Sequence, residues 1–406
     1  MTSTETTTLR APTDHLALPF FDAVHRELGP RLAAWVPQQL IDEHDDRAAC
    51  RDWVRRLGDA GWLRYGVPAG DDGALGGALP ALDSRALVVL RETLAFYSPL
   101  ADFSFAMQGL GSGAITLAGT PEQQTRWLPA VARGNKIAAF ALSEPEAGSD
   151  AGAMRTAATP TAGGWSLNGC KTWISNGDIA DFYVTFAKTD AEAGTRGITA
   201  FIVPADAPGL DSSEHIAVMA PHPLATLTFN DCALAHGAQL GPLNGGFKLA
   251  MQTLDIFRAS VAGAALGMAR RALAEAVSFA QQRPMFGQRL ADFQLTQARL
   301  GEMAALVDAA ALLTYRAAWL RDVHVASGND DATGRHERSV AAAMAKMTAT
   351  ENAQKVIDMA LQLHGGLGVK VGVKVESLYR DIRALRIYEG ATEVQLLIIG
   401  KAVLQP

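Results

Sequence analysis

A chain of 406 residues exceeds what one hydrophobic core usually organises, so two or three domains are expected. Apolar residues at 49% and charged residues at 19% give the profile of an ordinary globular enzyme, and a net charge of -6 argues against nucleic acid as the main partner. Cys50, Cys170 and Cys232 stand far apart with no CxxC spacing, which argues against a zinc site or redox pair and suits a reducing cytoplasm.

The opening stretch, MTSTETTTLRAPTDH, has no apolar core and contains Glu5, the pattern of neither a secretory signal nor a transit peptide. From there to about Ala138 the chain reads as helices separated by Gly and Pro, as over 48–58 and 82–96. The texture then changes. Short β-rich runs appear at 164–168 (GWSLN), 182–186 (FYVTF), 198–203 (ITAFIV) and 226–229 (TLTF), with Asn168-Gly169 and Asn176-Gly177 as loops between strands.

From Asn244 the pattern is helical again. Phe247, Met251, Leu254, Phe257, Val261, Ala265, Met268, Ala272, Ala276 and Phe279 step by three or four, and Arg283-Pro284 ends that helix. A second helix is expected over about 293–325, then a polar loop at 327–334. A third, Ala-rich helix follows to about Leu363 and stops at Gly365-Gly366. The last helix starts after Gly390, with Thr392 and Gln395 spaced as a capping box. The most apolar window, 303–320, contains Asp308 and Arg316 and reads as a buried bundle helix rather than a membrane span. The expected fold is α+β, mainly α: a helical N-terminal domain (1–138), a small β-barrel or sandwich-like middle domain (139–243) and a C-terminal four-helix bundle (244–406).

Five runs carry chemistry, each with a plain structural reading beside it. The run FALSEPEAGSD (140–150) offers backbone N–H groups beside Ser143 and Ser149 to a heterocycle edge or a phosphate, or is a simple turn into the β region. In NGCKTWISNG (168–177), read as a hairpin and a strand, Trp173 and Ser175 share a face by period two; they can stack on and bond to a planar ring, or Trp173 is a core residue. In RPMFGQRLADFQLTQ (283–297), Arg283 can grip a pyrophosphate, or it is a solvated residue in a helix–helix turn. In QLHGGLG (362–368) the glycines cap a helix or let a ligand approach backbone. In RIYEGATEVQ (386–395), Glu389 either faces a cleft or satisfies a helix N-terminus. A sixth run, GLGSG (109–113), lacks a preceding strand and does not read as a Rossmann site.

In order, ALSEPEAGSD, NGCKTWISNG, LDIFR, RPMFGQRLADFQLTQARL, QLHGGLGV and RIYEGATEVQ resemble the motif series of the acyl-CoA dehydrogenase flavoprotein family, over nearly the whole chain. The resemblance implies an FAD cofactor between the β domain and the bundle, an acyl-CoA substrate, an electron-transfer flavoprotein as acceptor, and a homotetramer or dimer; the cysteine usage and the opening stretch make a cytoplasmic enzyme the expectation. It implies that Leu142 and Ser143 meet the flavin pyrimidine edge, that Trp173 flanks the ring system, and that Ser175 bonds near flavin N5. Arg283, Phe286 and Gln294 would hold the adenine and pyrophosphate of a neighbouring subunit's FAD, with Gln362 and Gly366 reaching the same cofactor. Ser149, Asp255 and Arg258 would lie along the CoA arm.

Glu389 then stands at the position of the base that removes the α proton of the thioester while the β hydrogen leaves as hydride. Gly390 lets the backbone bend toward the carbonyl, and Tyr388 keeps the surroundings apolar. Phe257 stands where other members carry their base. The chain departs from the family at Ala391-Thr392, where a hydroxyl contact to FAD is shifted onto Thr392. Residues of the first domain and the bundle, among them Phe103, Met107, Gln108 and Phe257, are candidates to line the acyl pocket. Within the family the alternatives are an acyl-CoA oxidase or a dehydrogenase of carrier-bound acyl groups. A di-metal bundle protein is disfavoured because none of the nine histidines has Glu three residues before it. A non-catalytic binding protein is disfavoured by the intact flavin motifs and Glu389.

Overall fold

The computed structural model describes residues 9–329 and 331–404. Residues 1–8, which make up half of the opening stretch, lie outside the described residues, as does Asp330 in the polar loop. The chain separates into two compact units. One takes the chain up to Leu40, Ser84–Pro99 and everything from Arg258; the other takes Ile41–Asp83 and Leu100–Phe257.

The helices run in chain order as α1 (Ala23–Trp35), α2 (Asp46–Asp59), α3 (Ser84–Tyr97), α4 (Pro99–Ala118) and α5 (Pro121–Ala132). Their starts follow local chemistry: Asp45 accepts from the Ala48 amide ahead of α2, and Thr120 with Gln123 forms a capping box on α5. The strands β1 (Ala138–Ala141), β2 (Ala157–Thr161), β3 (Gly164–Ser175), β4 (Phe182–Lys188), β5 (Ile198–Pro204), β6 (Leu210–Ile216), β7 (Leu224–Ala235) and β8 (Gln239–Leu240) make one sheet. Its order is β6-β7-β3-β2-β4-β5-β8, with β1 parallel to β4. β4 and β5 are buried along almost their whole length, which accounts for their unbroken apolar character.

Asn168-Gly169 is not a hairpin loop. It lies inside β3, where the register to β7 slips between Leu167 and Gly169. Gly169 has φ 144 and a Cβ there would press on Thr156, so the glycine serves a bulge. GLGSG lies within α4. A Cβ on Gly109 would stand 2.7 Å from the Phe257 ring and one on Gly111 would stand 2.8 Å from the Ala138 backbone, so these glycines allow close packing.

The remaining elements are α6 (Gly246–Gln282), the two-residue strands β9 (Pro284–Met285) and β10 (Gln288–Arg289), α7 (Gln294–Ala326), α8 (Ala332–His364), α9 (Lys374–Leu385) and α10 (Thr392–Leu404). The bundle therefore carries a short extra helix, α9, which buries Val375, Leu378, Ile382 and Leu385 against α8. In α7, 44% of the most apolar window is buried, with α8 and α3 packed against the helix. Asp322 of α7 accepts from the Ser84 and Arg85 amides at 2.8 and 3.0 Å and so caps α3. Buried Glu92 of α3 binds Arg270 at 2.5 Å and Tyr315 at 2.9 Å.

The capping box expected at Thr392 does not form. Thr392 is the first residue of α10 and its hydroxyl donates to Glu351 at 2.7 Å, while the Gln395 side chain turns back to the Gly390 carbonyl at 3.0 Å. A nearby carboxylate is a stronger acceptor than the hydroxyl is a cap, so the pair serves the preceding turn.

Candidate functional site

In the sheet-bearing unit, the loop after β1 places Leu142 and Ser143 side by side. Leu142 is buried and Ser143 half-buried, and the Ser143 carbonyl accepts from the Thr172 amide at 3.0 Å. Glu144 and Ala147 close the loop with a reciprocal pair of backbone bonds, both 3.1 Å, and leave Ser149 exposed beyond it.

The loop is anchored by residues that the motif reading did not single out. Lys171, wholly buried on β3, donates to the Leu142 carbonyl at 3.0 Å and to Glu144 at 2.7 Å. Glu144 also accepts the Arg155 and Thr156 amides at 2.6 and 3.0 Å. Burial pushes the Glu144 carboxyl up, but Lys171 and these donors outweigh it and hold the group below its ordinary value.

Two residues after Lys171, Trp173 is 59% exposed with φ 60, at a second slip in the β3–β7 register. Ile174 beneath it is buried and Ser175 half-buried, so Trp173 and Ser175 flank Ile174 on the accessible side, across a bulge rather than along a regular strand. Asn176 follows with φ 60; its Nδ2 donates to the Ala138 carbonyl at 3.3 Å, and its Oδ1 is buried without a hydrogen-bond partner. Asp255 sits half-buried on α6. Of the pocket candidates, Gln108 is committed elsewhere: its amide bridges the Lys136 carbonyl and the Ala138 amide at 2.7 and 2.9 Å. Phe257 is packed against Gly109 and Gly113, while Phe103 and Met107 are buried on α4.

In the other unit, Glu389 and Gly390 lie in the turn between α9 and α10, with φ of 52 and 92. Tyr388, Glu389 and Gly390 are half-buried. The φ of 92 at Gly390 calls for glycine, and a Cβ there would also displace the Gln395 side-chain amide. The turn is tied to α8 at both ends: Arg386 and Thr392 both donate to Glu351, at 2.8 and 2.7 Å, and buried Lys346 donates to the Gly390 carbonyl at 2.7 Å. Arg258 is buried, with its Nε close to Gly390.

Farther along this unit, β9 and β10 form a tight hairpin whose tip carries Phe286, 86% exposed with φ 47. Arg283 and Gln294 flank it, both exposed. Gln362 and Gly366 are exposed at the end of α8, where His364 stacks on Phe279 at 4.3 Å. Among the described residues, seven non-glycine residues have positive φ, and four of them (Trp173, Asn176, Phe286 and Glu389) fall in the motif runs. Strain of this kind costs about 1–3 kcal/mol per residue and concentrates where geometry serves function.

A flavin dinucleotide needs accessible aromatic faces, polar groups at a ring edge, and glycines that a phosphate can approach. In the sheet-bearing unit Trp173 supplies an exposed ring and Ser143 and Ser175 supply polar edges; in the other unit, taken by itself, Phe286 supplies an exposed ring and a side chain at Gly366 would meet nothing within 4 Å. The residues present therefore fit such a group. Among the described residues no cluster of three or more His, Cys, Asp or Glu is placed to hold a metal ion.

Comparison with known proteins gives three family matches: acyl-CoA dehydrogenase N-terminal domain over residues 22–135, middle domain over 139–232 and C-terminal domain over 244–404. The chain is 37% identical over 387 residues to the human mitochondrial short-chain specific acyl-CoA dehydrogenase, covering 95% of this chain and 88% of the relative. It is 37% identical over 371 residues to the CarC subunit of the caffeyl-CoA reductase-Etf complex of Acetobacterium woodii, covering 90% and 93%. The butyryl-CoA dehydrogenase structure from Megasphaera elsdenii superposes with a TM-score of 0.86 at 32% identity, covering 95% and 99%.

Proposed function

For a chain that belongs to the acyl-CoA dehydrogenase family, we propose that Glu389 removes the α proton of an acyl-CoA thioester as the β hydrogen departs as hydride, giving the trans-2-enoyl-CoA. The family's reaction is FAD-dependent dehydrogenation of acyl-CoA. Bound FAD supplies the hydride acceptor. The observation that carries the reading is the Glu389 turn: a carboxylate in a left-handed backbone, followed by a residue whose φ of 92 requires glycine, and clamped to α8 on both sides.

An α C–H beside a thioester is weakly acidic, so a base must meet it already oriented. The clamped turn orients the Glu389 carboxylate, and its backbone N–H polarises the carbonyl. Tyr388 and buried Arg258 bound the turn, and Arg258 with Asp255 and Ser149 takes the CoA arm. Leu142, Ser143, Trp173 and Ser175 take the flavin ring. Arg283, Phe286 and Gln294 serve the adenine and pyrophosphate of a neighbouring subunit's cofactor in a homotetramer, with Gln362 and Gly366 reaching the same molecule, and the hydroxyl contact to FAD after Glu389-Gly390 falls to Thr392. The high exposure of Phe286 supports that assignment, since an aromatic ring at a hairpin tip is otherwise left in water.

The three domains are read as 1–138, 139–243 and 244–406, and the enzyme as cytoplasmic. Similarity to a subunit of an Etf complex supports an electron-transfer flavoprotein as the acceptor. Similarity to short-chain and butyryl-CoA enzymes supports a short acyl group.

The test is anaerobic titration of the purified yellow protein with a panel of acyl-CoAs. Bleaching of the flavin band by short acyl-CoAs, lost in Glu389→Gln, is the expected result. A yellow protein that no acyl-CoA bleaches would overturn the CoA substrate in favour of a carrier-bound thioester or other flavin chemistry.

A further inference from the structure

We propose that Lys346 is the positioning residue of the Glu389 turn, holding the Gly390 carbonyl and with it the left-handed backbone that aims the carboxylate. The inference rests on the reading of Glu389 as the base.

Lys346 lies in the interior of α8, in the run Ala341-Ala-Ala-Met-Ala-Lys-Met-Thr-Ala349, and is fully buried among alanines. Burying an ammonium among methyl groups costs several kcal/mol unless its hydrogen bonds and charge are used. Here Nζ donates at 2.7 Å to the carbonyl of the residue that follows Glu389. The Gln395 amide already donates to that same carbonyl at 3.0 Å, so the acceptor would be satisfied without a lysine. A second donor, costly to bury, is therefore explained by what it holds rather than by polar satisfaction.

Glu389 holds a left-handed backbone, which is costly for a residue with a Cβ, and Gly390 after it continues a conformation that glycine takes up freely. Lys346 and Glu351, five residues apart on one rigid helix, grip the turn at Gly390 and at Arg386/Thr392. The carboxylate thus inherits its direction from α8.

Lys346 also acts by charge. Burial pushes its amine down to about 8; Glu389 pulls it up, Arg258 of α6 pushes it down, and Glu351 of α8 and Glu393 of α10 pull it up. The coupling between Lys346 and Glu389 is reciprocal, so discharging or removing the lysine withdraws an attraction from the carboxylate. Local sequence logic is broken by a lysine inside an alanine-rich core stretch, and such breaks mark sites where function outweighs stability.

The experiment follows flavin bleaching of the holoenzyme by butyryl-CoA, without oxygen, from acid to alkaline pH. It compares wild type, Lys346→Met, Lys346→Gln and Glu389→Gln, with thermal unfolding of each. Lys346→Met is expected to bleach at least about tenfold more slowly, to melt no lower than wild type, and to move the acid limb of the rate profile upward by about one pH unit. Lys346→Gln, which keeps a donor but no charge, is expected to regain most of the rate above the limb and to keep the shifted limb.

A Lys346→Met enzyme within about twofold of wild type at every pH, with its limb unmoved, would overturn the proposal. So would a rate loss matched by a parallel loss of melting temperature, the mark of a purely structural residue. Should Lys346→Met fail to fold, the limb in Lys346→Gln decides, an unmoved limb overturning it. If Glu389→Gln still bleaches, the base reading falls and takes this inference with it. If Glu389→Gln is inert while both lysine variants behave as wild type, only this inference falls.

Discussion

The Lys171 ammonium donates to the Leu142 carbonyl at 3.0 Å, so the strand that carries Trp173 and Ser175 also holds the loop that carries Ser143. The Glu144 carboxylate, 2.7 Å from the same nitrogen, completes the join. Two motif runs, 140–150 and 168–177, thereby become one platform.

Replacing Lys171 with Met should cost about 3–5 kcal/mol of stability, because it leaves the Glu144 carboxylate buried beside only its amide donors. The purified protein should also lose FAD on gel filtration. Chemical denaturation and the ratio of flavin to protein absorbance check the two effects. The double variant Lys171→Met/Glu144→Leu should regain most of the stability but not the loop geometry, and so should remain depleted of flavin. Full flavin retention in either variant would contradict the platform role.

Phe286 separates binding from folding. It is 86% exposed, so Phe286→Ala should change the melting temperature by no more than about 1 °C, a surface substitution within about 0.5 kcal/mol. If the ring packs on the adenine of a neighbouring subunit's FAD, the same change should weaken FAD binding by at least about tenfold, corresponding to about 1.4 kcal/mol. Titration of apoprotein with FAD, followed by the quenching of flavin fluorescence, measures this directly.

Much of the architecture is legible in the sequence because periodicity dictates it. The helix expected over 293–325 is observed as Gln294–Ala326, and the strand expected at 182–186 extends two residues to Lys188. α9 is legible in the same way, since Val375, Leu378, Ile382 and Leu385 share one face, though at twelve residues its periodic signal is short. Asn168-Gly169 shows the limit of dipeptide rules: a turn-forming pair was accommodated as a bulge because β3 pairs with β7 on both sides of it. Thr392 and Gln395 show the same limit for capping boxes, since a carboxylate forty-one residues away, Glu351, competes for the hydroxyl. Lys171 and Lys346 could not be found by pattern at all. Their partners are backbone carbonyls brought near by the fold, and a lysine in sequence reads as surface until its burial is known.

The glycines of α4 carry a packing prediction. A Cβ on Gly111 would stand 2.7 Å from the Ala138 Cβ and 2.8 Å from its carbonyl carbon. Gly111→Val must therefore push β1 away from the helix, and should destabilise the protein by about 1–3 kcal/mol as overpacking. Gly163→Val, at an open loop position, should cost little by comparison. Paired denaturation curves distinguish steric exclusion at Gly111 from a general cost of replacing glycine.

His222 makes the fold sensitive to acid. Its ring meets Phe103 edge-on at 4.6 Å, and burial pushes its pKa down to about 4, against a backbone bond to Ala220 that pulls it up. The folded chain therefore keeps the ring neutral where the unfolded chain, with an ordinary value near 6.5, takes up a proton. The associated stability is complete above about pH 6.5 and is lost as pH falls through that value toward about 4. At about 1.4 kcal/mol for each tenfold in proton affinity, the loss across that window approaches 3 kcal/mol. His222→Phe should flatten the fall in stability between those pH values. Glu144, held below its ordinary value, contributes stability above about 4.5 that is lost at lower pH, so acid sensitivity below that point should survive the substitution. Denaturation midpoints measured every half unit across this range test the assignment, and an unchanged slope in His222→Phe would refute it.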